Sequence, residues 1–514
     1  MTNGAQWKRR QCLLVWFILA IVSSLLLREN DEANASPLSD EKSPENRQPW
    51  NMGTRKDRND PVRVDLEWAP LRIEKSWRSY KQIPGLFDRM AEEPEGFFSL
   101  DSQALRELVK AALRDNPELK EAEAAWKASL QTVRVVSALP DPNLTATAFV
   151  ESVETRVGPQ EAVLIFTQRL PWFGKLSAAG QSALEGALEK AWTWRSLQRE
   201  TVLKVKKAFY DLVYLSEALK ITDEEIATLR KYEDIALARY GTGKGIQQNV
   251  VKVQSETTRL GERKIVLLRR RDVARRALAR RVGSPLGAVE PEVGDQPLPV
   301  VTVRLEDLYG KVHKNREELQ ARLHAVRSSS EGVRLAKKQY WPDLKLGLNY
   351  VVVGDRKDPA GLQRPPEDNG KDAIGIVASI NLPIWHNRLR AGVDAARLEE
   401  VRARAAYARQ EDGVLFELQD AYITLESLRE QLNLYRHALI PQAEQSLESS
   451  EAAYETGKLT FLELLDSERF FLNVRYGYAK IKSDYLIAQA GMERALGTPF
   501  PERGYGAGTE GTSP

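Results

Sequence analysis

The chain reads as a mainly helical protein with a small β part: long coiled-coil helices carrying four short strands, built from one unit used twice. Three observations predict this. The second half of the sequence repeats the first. Apolar residues in the long charged segments recur at alternating steps of four and three. Between those segments lie four short stretches that alternate with period two.

Composition narrows the classes. By length alone, 514 residues would suggest three or four domains at about 150 residues each. Lys and Arg number 75 against 72 Asp and Glu, a net +3 that offers no bulk attraction for nucleic acid. With 29% charged and 42% hydrophobic residues, the chain is neither a disordered polymer nor a bundle of membrane helices. The single Cys12 rules out an intramolecular disulfide.

The N-terminus predicts export. Lys8, Arg9 and Arg10 precede the apolar run Cys12 to Leu27, which is shorter than the ~20 residues of a spanning helix. Ala33-Asn34-Ala35 then supplies a small-x-small cleavage site, so residues 1–35 read as a signal peptide that carries Cys12 away with it. The competing reading keeps residues 12–27 as an uncleaved inner-membrane anchor. Residues 36–98, rich in Pro, Asn, Asp and Arg, read as an extended leader.

The repeat then replaces the three or four domains with one duplicated unit. Leu119, Val133-Arg134, Pro142 and Leu144 recur 200 residues on as Leu319, Val333-Arg334, Pro342 and Leu344. Leu170-Pro171, Gly180 and Tyr210 recur 212 residues on, and Tyr240, Thr242-Gly243-Lys244, Gly283 and Pro285 recur 214 residues on. The expected units are residues 99–285 and 305–500, joined by a Pro-rich linker at 286–304 and followed by a disordered tail at 501–514. Each unit reads helix, strand, strand, long helix, turn, helix.

The helices show coiled-coil spacing. Val414, Leu418, Ala421, Leu425, Leu428, Leu432 and Tyr435 step by four and three. Leu464, Ser467, Phe471, Val474, Tyr478, Ile481, Tyr485, Ala488, Met492 and Ala495 continue the pattern. Val202, Val205, Phe209, Leu212, Ser216 and Leu219 repeat it more weakly in the first unit. A helix from about Lys175 to Tyr240 would be ~100 Å long, so the molecule is expected to be a rod. Period-two stretches run from Leu144 to Val150, Val163 to Leu170, Leu344 to Val352 and Ile374 to Leu382. Their length and two-faced pattern suit a half-buried hairpin or a transmembrane β-strand equally. Four strands cannot close a barrel around a channel, so a barrel requires several chains.

From about residue 100 to 500 the chain resembles the TolC-type outer-membrane efflux family. The resemblance rests on Asn116-Pro-Glu-Leu119, Leu170-Pro-Trp-Phe-Gly-Lys175, Arg239-Tyr-Gly-Thr-Gly-Lys244, the stretch Tyr454 to Arg469, and Met492-Glu-Arg-Ala-Leu-Gly-Thr-Pro499. The Leu170 to Lys175 stretch is most similar to the heavy-metal efflux branch. The resemblance implies a homotrimer, a trimeric α/β barrel in which each chain lends four strands to one barrel in outer-membrane lipid and its helices to one periplasmic tunnel. It also implies a periplasmic adaptor (membrane fusion) protein and an inner-membrane pump, of the proton-driven type, as partners.

The resemblance makes the two Gly-Lys turns the periplasmic tips. It gives adaptor contacts at Tyr240, Gly243, Lys244, Tyr454, Gly457, Lys458, Leu459 and Thr460, against a bland reading in which they only end helices. It gives an acidic gate at Glu463 and Asp466, which are three apart and share a helix face. Their first-unit counterparts, Asn249 and Lys252, are not acidic, and Leu459 stands where the family often has a basic residue.

Other motifs carry less. Gly241 to Gly245 lacks the P-loop spacing, because Ala238 and Gly245 occupy its first-glycine and hydroxyl positions. His313, His324, His386 and His437 are scattered, so neither a metal site nor a cofactor is expected. The Arg269 to Arg281 run is a basic helix face with no nucleic-acid partner expected, and no nucleophile–base pair marks an enzyme. The expectation is a passive outer-membrane exit duct. Its rivals are a periplasmic coiled-coil structural or adaptor protein on the 12–27 anchor, and a hydrolase with a helical insert.

Overall fold

The computed structural model describes residues 102–283, 305–356 and 358–499. The expected signal peptide, leader, linker and tail lie outside the described residues, as do Cys12 and residues 12–27.

Helix α1 (Gln103–Asp115) is capped by Ser102, whose side chain accepts from the Leu105 amide at 3.2 Å. It runs almost directly into α2 (Pro117–Ser137). Asn116 makes the joint: its side chain accepts from the Glu118 amide at 2.8 Å, and Pro117 fits the first helical position, where no amide is needed. Strands β1 (Asn143–Thr155) and β2 (Gly158–Leu170) form a hairpin, and α3 (Lys175–Gly241) follows as a single helix of 67 residues. Helix α4 (Gln247–Val282) returns beside it.

The second unit repeats this order. Helices α5 (Glu306–Asn315) and α6 (Glu317–Lys338) lead to β3 (Leu344–Val353). A one-turn α7 (Pro359–Gln363) sits in the longer loop before β4 (Ala373–Ile380). Helix α8 (His386–Leu434) passes through a π-helical turn at Tyr435–Leu439 into α9 (Ile440–Glu455), and α10 (Phe461–Leu496) returns. Each unit therefore opens with two helices where the sequence pattern showed one. Pro441 is the physical reason for the π turn: it cannot donate a helical hydrogen bond, and the widened turn absorbs the defect.

The strands form one antiparallel sheet in the order β1-β2-β3-β4. Its register decides what each face carries. Leu144, Phe166, Leu348 and Ile376 lie in one cross-strand row, and Ala146, Leu164, Tyr350 and Ile374 in another. The opposite face holds the row Thr145, Ile165, Asn349 and Gly375 and the row Asn143, Thr167, Gly347 and Val377. The apolar face lies open, with Leu144 71% and Ile376 84% exposed. Among the described residues, β1 and β4 are unpaired along their outer edges.

The sheet is bolted to the rod at Asp343. Its carboxylate takes Lys175 at 2.8 Å, Arg169 at 2.6 Å and the Trp172 amide at 3.1 Å, while Trp172 stacks on Trp341 at 5.3 Å. This explains the Leu-Pro-Trp-Phe-Gly-Lys stretch locally: it clamps the first unit's strand exit onto the second unit's strand entry.

Among the described residues the rod has three apolar cores. One joins α1, α3 and α4 around Phe209 and Leu278. A second joins α5, α6, α8 and α10 around Val414, Leu418 and Met492. The third, toward the turns, joins α3, α4, α9 and α10 around Leu229, Leu260, Leu464 and Leu472. Helix α10 buries two stripes rather than the single seam expected, because it packs on both α3 and α8. The second stripe includes Leu465, Glu468, Leu472, Tyr476 and Ala479.

Candidate functional site

The two turns at the rod's end are built alike. In the first, Thr242 Oγ1 donates to the Ala238 carbonyl at 3.1 Å, and the Lys244 amide donates to the Arg239 carbonyl at 2.9 Å. In the second, Thr456 Oγ1 donates to the Ala452 carbonyl at 3.1 Å, and the Lys458 amide to the Ala453 carbonyl at 2.8 Å. Gly243 and Gly457 take φ of 68° and 73°, the left-handed conformation that closes a helix C-terminus.

The turns differ in what they expose. Tyr240 is half exposed, but its counterpart Tyr454 is 6% exposed and packs on Phe461 with ring centroids 5.5 Å apart. Arg239 lies over the Tyr454 ring at 4.2 Å and donates to the Tyr454 carbonyl at 3.1 Å, tying one turn to the other. Gly243, Lys244, Gly457, Lys458 and Thr460 are exposed, while Leu459 is half-buried on the third core. Sequence reasoning missed Arg239 and the exposed Ile246. An apolar residue inside a glycine-rich turn was the available signal for Ile246.

Glu463 and Asp466 stand just above the second turn, each already engaged. The Thr460 amide donates to the Glu463 carboxylate at 2.8 Å while the Glu463 amide donates to Thr460 Oγ1 at 3.4 Å, a reciprocal capping box. The Thr460 hydroxyl bond holds the Glu463 carboxyl below its ordinary pKa, so it is ionised. Asp466 is largely exposed and pairs with Arg469 at 3.2 Å, and Arg469 also pairs with Glu256 of α4.

Further up lies a group that sequence spacing did not reveal. Glu225 of α3 and Glu468 of α10, 5% and 3% exposed, share a hydrogen bond. Burial, then the bond and charge of Glu468, push the Glu225 carboxyl up to about 9. Burial also raises Glu468. Nearby, Tyr232 donates to Glu451 of α9 at 2.5 Å, and Arg475 pairs with Glu224 at 2.6 Å. A cavity of about 10 Å³, room for one water, opens between Glu225, Glu256, Glu468 and Arg469. The histidines are elsewhere: His313 pairs with Glu411 at 2.8 Å and His324 with Glu185 at 2.7 Å.

A four-stranded sheet with an open apolar face and two open edges, carried on a helical rod that ends in paired turns, defines a subunit of a membrane-spanning channel. A sequence model described as "Outer membrane efflux protein" matches residues 108–284 and again 308–498, and the chain belongs to that family. It is 22% identical over 423 residues to outer membrane protein TolC of Escherichia coli K12, covering 78% of this chain and 84% of that protein. It is 20% identical over 419 residues to cation efflux system protein CusC of Escherichia coli O157:H7, covering 78% of this chain and 87% of that protein. Its fold matches the crystal structure of outer membrane protein VceC of Vibrio cholerae with a TM-score of 0.63 at 22% identity, covering 77% of this chain and 96% of that one. The protein is therefore an outer-membrane efflux channel of a tripartite system, with a large periplasmic part. This displaces the reading as an anchored periplasmic coiled-coil protein. The relatives do not single out the heavy-metal branch.

Proposed function

We propose that the protein is a passive exit duct formed by three copies of the chain. The observation that carries this is the sheet: β1 and β4 are open edges of a four-strand wall too narrow to close alone. Three copies joined β4 to β1 close a barrel whose apolar face meets lipid and whose small, polar face lines the passage. The rods close a tunnel below it. Transport energy then comes from the inner-membrane pump, of the proton-driven type, and the duct itself does no catalysis.

The exposed turn residues Tyr240, Gly243, Lys244, Gly457, Lys458 and Thr460 form the adaptor contact, with Tyr454 and Leu459 shaping it from beneath. Glu463 and Asp466 give two acidic levels at the tunnel entrance, which hold cations and restrict passage. Because Glu463 also caps α10, the informative variant is Glu463→Gln with Asp466→Asn, since Gln preserves a capping box. Single-channel conductance should rise and block by trivalent cations should weaken. Unchanged block removes the acidic gate. A metal-ion cargo is favoured only by the likeness to cation efflux proteins, and gene deletion followed by a metal and drug sensitivity panel tests it.

A further inference from the structure

The rod has two margins between its joints and its turns. Below the joints α4 packs on α3, α3 on α10, and α10 on α8 and α9, so α4 and the α8–α9 helix flank that stretch. They span the same stretch. Helix α4 rises from the first turn to the joint where Asn116 donates to the Arg281 carbonyl at 3.0 Å. Helix α8, continued by α9, descends to the second turn from the matching joint, where Arg316 meets Glu417 at 2.6 Å and the Arg494 carbonyl at 3.1 Å.

Their charges are opposite. Residues 247–282 hold eleven Lys and Arg against three Asp and Glu, net +8. Residues 411–455 hold ten Asp and Glu against two Arg, net −8 with His neutral. Each margin also shows, among the described residues, an exposed apolar stripe. On α4 the exposed Val251, Ile265 and Val273 fall within ~80° of arc that also holds Arg269, Arg276 and Arg280. On α8 the exposed Phe416, Ile423 and Leu434 share ~80° with Asp412, Asp420 and Glu430. Among the described residues, none of these six charged groups has an ion-pair partner.

Their levels agree as well. Arg281 donates to the Lys204 carbonyl at 3.2 Å, and Lys204 matches Phe416 at the 212-residue offset. Running α4 and α8 antiparallel from that level sets Val273 near Ile423, Arg276 near Asp420 and Arg269 near Glu430, to within about one turn.

We propose that α4 of one copy zips onto α8 and α9 of the next, through an apolar stripe flanked by Arg on one side of the seam and by Asp and Glu on the other. The inference rests on the ring proposed above and says how its helical wall is joined. Like charge forbids α4 pairing with α4, or α8 with α8, so a two-fold contact is disfavoured and a head-to-tail ring is selected. The apolar stripes supply adhesion. The charges set partner and register, as flanking charges do in coiled coils.

The test uses the full chain extracted in detergent, with Cys12→Ser as background. Val273→Cys with Ile423→Cys should give disulfide-linked dimers and closed trimers on non-reducing gels. Reversing one side, Arg269→Glu with Arg276→Glu, should abolish the trimer at low ionic strength. Adding Asp420→Arg with Glu430→Arg to the same chain should restore it. A trimer by mass that neither crosslinks nor responds to reversal overturns the seam and leaves the ring standing. Failure of the combined variant to recover also overturns the seam. A parent chain that is not trimeric overturns the ring itself.

Discussion

Replacing Glu225 with glutamine should abolish most of the pH dependence of the lower rod. Folding buries Glu225 against Glu468 and raises its pKa from 4.5 to about 9, so the folded state keeps a proton that the unfolded chain releases. A raised carboxyl pKa makes its contribution to stability full below about 4.5 and progressively lost as pH rises toward about 9. At ~1.4 kcal/mol per tenfold, the whole window is worth at most ~6 kcal/mol, of which roughly half is gone by pH 7. Glu468, Glu451, Tyr232, Glu256, Arg469 and Arg475 surround the site and set how much of that is realised. Glutamine keeps a donor toward Glu468 at every pH. The assay is hydrogen exchange of peptides from 221–232 and 464–476 at pH 5.5 and 8, corrected for intrinsic exchange. Native protein should lose protection between the two values, and Glu225→Gln should hold it. An unchanged pH slope in the variant refutes the shared-proton reasoning.

Other outcomes follow from the same packing. Gly457→Val forces a β-branched residue to a φ of 73°, and should cost ~1–2 kcal/mol locally and reduce crosslinking from position 458 to an adaptor. Lys206 and Glu493 meet at 2.5 Å with 3% and 1% of their side chains exposed. Lys206→Met should therefore destabilise by ~3–5 kcal/mol in urea unfolding, and Glu493→Leu in the same chain should recover most of it. Asp343→Ala leaves Lys175 buried without its carboxylate and should lower the thermal midpoint and the yield of outer-membrane protein.

Much of this architecture was legible because it is periodic. Val414, Leu418 and Leu425 fall on the expected seam and are buried at 0%, 0% and 4% exposure. The strands lie where period two put them, but β1 runs on to Thr155 and β2 begins at Gly158, because the pairing shifts register between Ala148 and Val153, where the alternation is lost, and resumes beyond it. The π turn at Tyr435–Leu439 escaped notice because Pro441 was submerged in a strong heptad pattern. The carboxyl pair escaped because its partners are 243 residues apart, and nothing local marks Glu468 as buried. Its only trace is an acid at a second apolar stripe, which becomes meaningful once α10 is seen packed on two sides. Tyr240 and Tyr454 look equivalent in the repeat, yet one is exposed and the other sits under Arg239, whose counterpart is Ala453.

The central claim is a conducting pore made by three copies. Its most direct test is reconstitution of the detergent-extracted protein into planar lipid bilayers, with single-channel current recorded while trivalent cation is added to each side in turn. The account predicts discrete unitary conductances, blocked from the side that carries Glu463 and Asp466. A preparation of verified trimer mass that inserts but passes no current, or one that stays soluble and never inserts, contradicts it.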